Sequence, residues 1–346
     1  MKKDIASFNW EQMQSEIELL GEKKFRAKQI YEWLHEKGTE QFSEMTNLSR
    51  QLQEKLNARY EIRSVDLLQR QVSALDGTNK FLFQLCDGNE VESVLMKYKH
   101  GNSVCISSQA GCRMGCRFCA STIDGLERNL TVSEMLGQIY QIQKICGERI
   151  SHIVVMGTGE PLDNYENLTG FIRMISDEHG LHISQRNITV STCGIVPGIL
   201  RLSEEHFQIT LALSLHGSTQ EKRKKLMPIA NKYPLEEVLS ACDAYFQKTG
   251  RRMTYEYSLI HGVNDTDEDA GELIHLLGKR NCHVNLIPVN PIKERNFKRP
   301  SGENAQKFKN KLEKSGINVT IRREMGSDID GACGQLRRRY AITREG

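Results

Sequence analysis

Beyond Cys105 the chain alternates short apolar runs with amphipathic stretches. SHIVVMG, RNITVST, QITLALSL, MTYEYSLI, CHVNLIPV and INVTIRR are separated by segments such as LTVSEMLGQIYQIQKI and PLEEVLSACDAYFQKTG. Short runs rich in β-branched residues read as strands, and apolar positions recurring every three or four residues between them read as helices. Strand and helix in alternation predict a parallel sheet covered by its own crossovers. Six such runs follow the first strand, SVCISS, too few to close an eight-fold barrel. The expected fold class is α/β, a partial (βα)6 barrel open along one side. Its site is expected in the loops at the strand C-termini, with the open side admitting a large substrate.

The preceding residues follow other periods. In WEQMQSEIELL and FRAKQIYEWLHEK the apolar positions have helical spacing, with Gly21 between the two segments. From about residue 66 to 100 the pattern alternates, and Asp76-Gly77 and Asp87-Gly88 mark two hairpin connections. The division is therefore a helical module over 1–62, a β-hairpin extension over 63–100 and the barrel over 101–346.

Composition narrows the classes. The chain has 346 residues, 38% of them apolar and 26% charged, enough for a large packed core. No stretch is apolar for long enough to span a bilayer, and MKKDIASFNWEQ lacks the apolar core of an export signal. The expectation is a cytoplasmic protein whose ten cysteines stay reduced, so that metal binding or thiol chemistry replaces a disulfide framework. Net charge is +3, yet the last 66 residues hold fourteen Lys and Arg against seven Asp and Glu. The basic excess is local.

Cys112, Cys116 and Cys119 lie in GCRMGCRFCAS with C-x3-C-x2-C spacing. Three thiolates in one short loop suit a soft metal centre, zinc or an iron–sulfur cluster. Structural zinc ordinarily takes four protein ligands as two separated pairs, and no second pair follows here. Three ligands on a cluster leave one iron open to a small chelating molecule, and Phe118 would screen the cluster from water. On spacing alone zinc and unrelated buried thiols remain alternatives. The spacing resembles that of the radical S-adenosylmethionine (SAM) superfamily.

Further polar residues fall at predicted strand ends. Gly157, Thr158, Gly159, Glu160 and Pro161 follow SHIVVM, Ser191 lies at the end of RNITVS, Ser214, Leu215 and His216 end QITLALSLH, and Asn290 follows CHVNLIPV. That position favours a ligand. A tight turn with a solvated Glu160 and a structural His216 hydrogen-bonded to backbone are the plain alternatives. Cys105, within SVCISS, reads as a small buried hydrophobe. Cys333, in the glycine-flanked loop SDIDGACGQL, reads as a mobile nucleophilic thiol.

These residues closely resemble the RlmN family of radical SAM RNA methyltransferases. The resemblance runs nearly end to end: KKFRAKQIYEWLHEKG and FSEMTNLS, then VESVLMKYKHGNSVCISSQAGCRMGCRFCAST, GTGEPLDNYEN, ITVSTCGIVP, KLMPI, GRRMTYEYSLIHGVND, HVNLIPVNP and REMGSDIDGACGQLRRR. Departures are mild. The family often has methionine at Thr158 and alanine at Gly217 or Gly331, and no functional side chain is lost.

The resemblance implies methylation of carbon 2 of adenosine in 23S ribosomal RNA and transfer RNA, by a ping-pong route that uses two molecules of SAM. Cys112, Cys116 and Cys119 would hold one 4Fe-4S cluster. Gly159, Glu160, Ser191, Ser214, Leu215, His216 and Asn290 would bind SAM. Cys333 would become S-methylcysteine and, after hydrogen abstraction, join the base. Glu92 would accept the proton of that adduct, and Cys105 would release it through a transient disulfide with Cys333. The partners implied are 23S rRNA, tRNA and an electron donor such as flavodoxin or ferredoxin, with no membrane and a monomeric chain. The C-terminal end of the barrel would carry the catalytic-cysteine loop and residues 1–62 would bind RNA. The rival readings are the related resistance methyltransferase that modifies carbon 8 of the same adenosine, a different radical enzyme acting on a small molecule or peptide, and a nonenzymatic zinc or RNA-binding protein.

Candidate phosphate contacts are Lys222, Arg223, Lys224 and Lys225; Lys293, Arg295, Lys298 and Arg299; Arg337, Arg338 and Arg339; and Lys23, Lys24, Arg26 and Lys28 of the helical module. Solvated surface is the alternative for each.

Overall fold

The computed structural model describes residues 2–292, 294–329, 334–337 and 339–340. Three helices near the N-terminus, α1 (Trp10–Leu19), α2 (Phe25–His35) and α3 (Arg50–Arg59), pack around Met13, Ile17, Ile30, Leu34, Leu52 and Leu56, all buried. Side chains set two of the starts. Asn9 and Gln12 exchange reciprocal hydrogen bonds of 2.9 Å as a capping box for α1, and the Ser49 hydroxyl accepts the Leu52 N–H for α3. Lys3–Asp4 and Tyr60–Glu61 pair in parallel and bring the two ends of this module together. Asp4 then ties it to the barrel: its carboxylate accepts the Ser7 hydroxyl at 2.7 Å and the hydroxyl of Ser133.

One sheet organises the rest. Its ten strands are β1 (Val65–Val72), β2 (Asn79–Leu85), β3 (Glu90–Tyr98), β4 (Gly101–Ile106), β5 (Ile150–Val155), β6 (Ile188–Thr192), β7 (Thr210–Ser214), β8 (Met253–Leu259), β9 (Cys282–Pro288) and β10 (Asn318–Ile321), and they lie side by side in chain order. β1 to β4 form an antiparallel meander; from β4 to β10 every pairing is parallel. Six parallel strands thus follow β4, as the six apolar runs predict. β1 and β10 are the two edges, so the sheet does not close.

The meander differs from the sequence reading in one turn. Two hairpin connections were expected between residues 66 and 100, and there are three. The third turn, at Lys99-His100, lacks the Asp-Gly pair that marks the others. It sets Val94 opposite Cys105, so the extension continues the barrel's own sheet.

The crossover helices are α4 (Val132–Cys146), α5 (Tyr165–Ser176), α6 (Val196–Ser203), α7 (Gln220–Leu226), α8 (Leu235–Thr249), α9 (Asp267–Leu277) and α10 (Gly302–Lys314). They cover strands whose Ile153, Val155, Val190, Leu211, Leu213, Val284 and Leu286 are fully buried. Strand ends are left as the region where polar residues gather. No described helix is long and apolar enough to cross a membrane.

Candidate active site

A cavity of about 320 Å³ opens at the C-terminal ends of the parallel strands, and the cysteine triad forms one wall of it. After β4, Gln109–Gly111 pairs antiparallel with Leu126–Asn129, closing the cysteine segment into a loop. The closure is tight: a Cβ on Gly111 (φ 75°) would lie 2.1 Å from the Gly125 carbonyl oxygen. The Cys112 N–H donates to that same oxygen at 2.7 Å, the Cys119 N–H to the Cys116 carbonyl at 3.1 Å, and the Arg117 N–H to Leu226 at 2.9 Å. Three thiols are thereby held on fixed backbone around one space.

Those thiols are poor places for protons to leave unaided. Burial pushes Cys112 up to about 12 and Cys116 well above its ordinary value, with the neighbouring thiols adding to both. Thiolates in this loop need a bound cationic centre. Ligands sharing one zinc at about 2.3 Å would have sulfurs within roughly 4 Å of each other. Among the described residues no three His, Cys, Asp or Glu side chains are gathered closely enough to share a single ion. An iron–sulfur core, which gives each thiolate its own iron, fits the donor set better.

The GTGEP turn forms a second wall. A Cβ on Gly157 would come within 2.6 Å of the Ile106 carbonyl oxygen, and one on Gly159 (φ 110°) within 2.6 Å of the Gln109 Cβ, so only glycine allows the turn to press against the end of β4. Glu160 is thus drawn inside. It is 3% exposed; one carboxylate oxygen accepts the Leu162 N–H at 3.0 Å and the other the Cys193 N–H at 2.7 Å. Burial raises its pKa, and these hydrogen bonds oppose the rise. Such a carboxylate is well suited to an incoming ammonium group.

The remaining strand-end residues separate into two groups. Ser191, Ser214, His216 and Asn290 line the cavity, and the two serine hydroxyls are 3.4 Å apart. His216 Nδ1 accepts the Ser258 N–H at 2.9 Å, so the neutral ring carries its proton on Nε2; burial lowers its pKa to about 3. Phe118 meets that ring edge-on at 4.7 Å. Leu215 differs: its side chain is fully buried outside the cavity lining, and its N–H donates to the Glu256 carbonyl at 2.9 Å.

Cys105, on β4, is buried and lines the same cavity. Cys333 lies outside the described residues, as do Lys293, Asp330, Gly331 and Arg338. The described cysteines form no disulfide with one another. Glu92, on β3, is buried beyond the cavity lining and pairs with Lys80 at 2.8 Å. It also accepts the backbone N–H of Gly334 at 2.6 Å and of Arg337 at 2.7 Å. On the other side of Cys333, Asp328 accepts the Ser73 hydroxyl at 2.6 Å and the Ala74 N–H at 2.8 Å, while Asp76 accepts the Gly326 N–H at 2.9 Å. The β-extension therefore fastens the C-terminal segment on both sides of Cys333.

Comparison with known proteins decides the kinship. Residues 3–62 match the ribosomal RNA large subunit methyltransferase N-terminal domain, and residues 106–277 match the radical SAM superfamily. The chain is 65% identical over 339 residues to the probable dual-specificity RNA methyltransferase RlmN of Lachnoclostridium phytofermentans, covering 98% of this chain and 95% of that one. It is 61% identical over 337 residues to the like-named protein of Lachnospira eligens, covering 97% and 96%. The chain belongs to the RlmN family. A crystal structure of a radical SAM methyltransferase from Sphaerobacter thermophilus superposes with a TM-score of 0.91 at 40% identity, covering 96% of this chain and 98% of that one.

For an RlmN-family chain the cavity holds residues that sequence reasoning did not select. Glu256, on β8, lines it at 4% exposure and accepts Asn285 Nδ2 at 2.9 Å; burial raises its pKa to about 7, which Arg322 and Asn285 oppose. The available signal was a charged residue inside the apolar run MTYEYSLI. Arg322, Arg323 and Glu324 also line it, beside the phosphate-contact candidate Arg299.

The basic candidates also divide. Lys222 pairs with Asp269 at 2.9 Å and Glu272 at 2.6 Å, and Arg223 is fully buried, so neither is a surface phosphate contact. Lys224, Lys225, Lys298, Arg299, Lys23, Lys24 and Lys28 are exposed. Arg299 pairs with Glu324 at 2.5 Å and Arg337 with Asp124 at 3.1 Å.

Proposed function

We propose that this chain methylates carbon 2 of an adenosine in RNA, in 23S ribosomal RNA and transfer RNA, by a ping-pong route through Cys333. The observation that carries this reading is a conjunction. The triad thiols, the buried Glu160 carboxylate and Cys105 face one cavity, and the carboxylate of Glu92 grips the backbone next to Cys333.

Three thiolates, those of Cys112, Cys116 and Cys119, would hold a 4Fe-4S cluster, to which SAM would bind. When bound, the pair supplies one electron and a primary carbon radical able to take hydrogen from a methyl group. Electron-poor carbon 2 of adenine is no nucleophile toward a sulfonium methyl, which is why a radical route suits it. The side chains do the positioning. Glu160 takes the amino group of SAM, while the hydroxyls of Ser191 and Ser214, the Nε2–H of His216 and the Asn290 amide supply polar contacts to the rest of it. Gly159 gives backbone close access.

Cys333 attacks the methyl of a first SAM, forming a thioether and releasing S-adenosylhomocysteine. Once a hydrogen has been removed from that methyl, its carbon joins the base and links protein to RNA. The adduct is a radical until it gives up one electron, which the oxidised cluster would take back, and Glu92 takes the proton from carbon 2. Cys105 then attacks the Cys333 sulfur; the sulfur–sulfur bond forms as the carbon–sulfur bond breaks, the bonding pair leaves with the methylene carbon, that carbon takes up a proton, and the methylated base is freed.

Exposed lysines on the helical module and on α7 contact phosphates, while the target base is turned outward into the cavity. The test is an anaerobic reaction with SAM, a reductant and protein-free 23S RNA, followed by digestion to nucleosides and mass spectrometry. 2-Methyladenosine supports the proposal; 8-methyladenosine replaces it with the resistance-type reaction.

A further inference from the structure

Arg223 sits in the run KRKK and has the composition of a surface residue, yet its side chain is fully buried. On α7 it shares a face with Leu226, three residues on, also buried. Gly194 and Gly217 make room for it. A Cβ on Gly217 would lie 2.6 Å from the Arg223 backbone nitrogen, and one on Gly194 3.1 Å from Nη2.

Its partners do not account for its charge. Nη2 donates to the Cys193 carbonyl at 2.6 Å, while Nε and Nη1 have no hydrogen-bond partner among the described residues. Among the described residues, the titratable groups that face it are the thiols of Cys193, Cys116 and Cys242 and the ring of His216, and no carboxylate is among them. A guanidinium does not lose its proton in a protein, so a full positive charge is buried here with one carbonyl for company. Such a charge points to an anion beside it.

The neighbours say which. Cys193 packs in one apolar nest with Cys112, Cys116 and Met227, and the last carbonyl of α7, Leu226, accepts the Arg117 N–H at 2.9 Å. Arg223 therefore stands directly behind the cysteine loop. Three thiolates around an iron–sulfur core carry net negative charge, and one-electron reduction adds another.

We infer that Arg223 is the buried counter-charge of the cluster: it stabilises the anionic centre and favours its reduced state, raising the reduction potential. This rests on the reading that the triad holds such a cluster. Net charge and nearby hydrogen-bond donors are among the factors that set the potentials of these centres. The same guanidinium also holds the carbonyl of Cys193, the residue whose own N–H donates to Glu160, so it braces the SAM site from behind.

The test uses the full chain, reconstituted anaerobically with ferrous iron and sulfide, as wild type, Arg223→Lys and Arg223→Gln. Arg223→Met, which buries no polar group, takes the place of the Gln variant should that one not fold. Iron and sulfide are counted, and the potential is followed by electron paramagnetic resonance against mediators, without SAM or RNA. The expected result is a shift to more negative potential in the neutral variant and a value near wild type in the Lys variant. Loss of cluster from a folded neutral variant, with retention in the Lys variant, supports the same conclusion. Equal potentials in wild type and the neutral variant would overturn it, as would loss of the cluster from both folded variants. A wild type that takes up no iron and sulfide overturns the cluster reading and this inference with it.

Discussion

The Glu92 carboxylate accepts the backbone N–H of Gly334 at 2.6 Å across 242 positions of sequence. Gly334 (φ 79°) in turn abuts the cysteine loop, where a Cβ would come within 2.8 Å of the Ala120 Cβ. One carboxylate thus joins the β-extension, the segment next to Cys333 and, through Gly334, the loop of the triad. For Glu92 to take a proton during turnover, its hold on these N–H groups must weaken at that moment.

Breaking this junction is costly to the fold. Glu92 and Lys80 are both buried, and removing one member of a buried pair typically costs about 3 to 5 kcal/mol. Glu92→Ala is expected to lose stability on that order in urea denaturation, and the double variant Lys80→Met, Glu92→Leu to recover most of it. A Glu92→Ala loss below about 1 kcal/mol would show that the pair is not structurally coupled.

Acid should unfold the chain early. His35 and His216 are buried, and burial lowers each to about 3 from an ordinary 6.5. The unfolded chain binds these protons first, so the stability they contribute is complete above pH 6.5 and is lost as pH falls toward 3. The loss is on the order of 1.4 kcal/mol per histidine for each pH unit in that window. His35→Gln is expected to reduce the slope of stability against pH by roughly 1.4 kcal/mol per pH unit between pH 6 and 4, and an unchanged slope would contradict the assignment.

The triad is expected to carry metal and little else. Cys116→Ser should remove the iron–sulfur absorbance and most bound iron, with little change in the melting of the metal-free chain. Iron retained at the wild-type level would exclude Cys116 as a ligand.

RNA affinity should fall steeply with salt, each phosphate contact adding roughly 0.7 to 0.9 to the slope of log affinity against log salt. Lys225→Ala is expected to reduce that slope by one contact. Lys222→Ala, which removes a side chain already paired with Asp269 and Glu272, is expected to leave it unchanged. Equal effects of the two would contradict the division of charges.

Much of this architecture was legible because strand burial writes itself into apolar runs: each run from SHIVVMG to INVTIRR contains one parallel strand. The third hairpin was not, since Lys99-His100 carries no turn signature. Arg223 was misread because charge runs suggest solvent, although its spacing to Leu226 and Met227 gives a buried helical face. Glu256 went unnoticed inside a strand whose other residues are largely apolar. Leu215 was selected by its place in SLH, and its backbone and not its side chain stands at the strand end. Anchoring of the C-terminal segment by Ser73, Asp76 and Asp328 joins residues some 250 positions apart, a relation that no local pattern encodes.

The central claim is that Cys333 carries the methyl carbon to RNA and Cys105 releases it. The direct measurement is an anaerobic reaction of Cys105→Ala with SAM, reductant and 23S RNA, followed by denaturing electrophoresis and mass spectrometry of the nuclease- and protease-digested adduct. The expected result is a covalent protein–RNA species with one adenosine attached through a methylene carbon to Cys333. Free methylated adenosine at the wild-type rate, with no adduct, would contradict it.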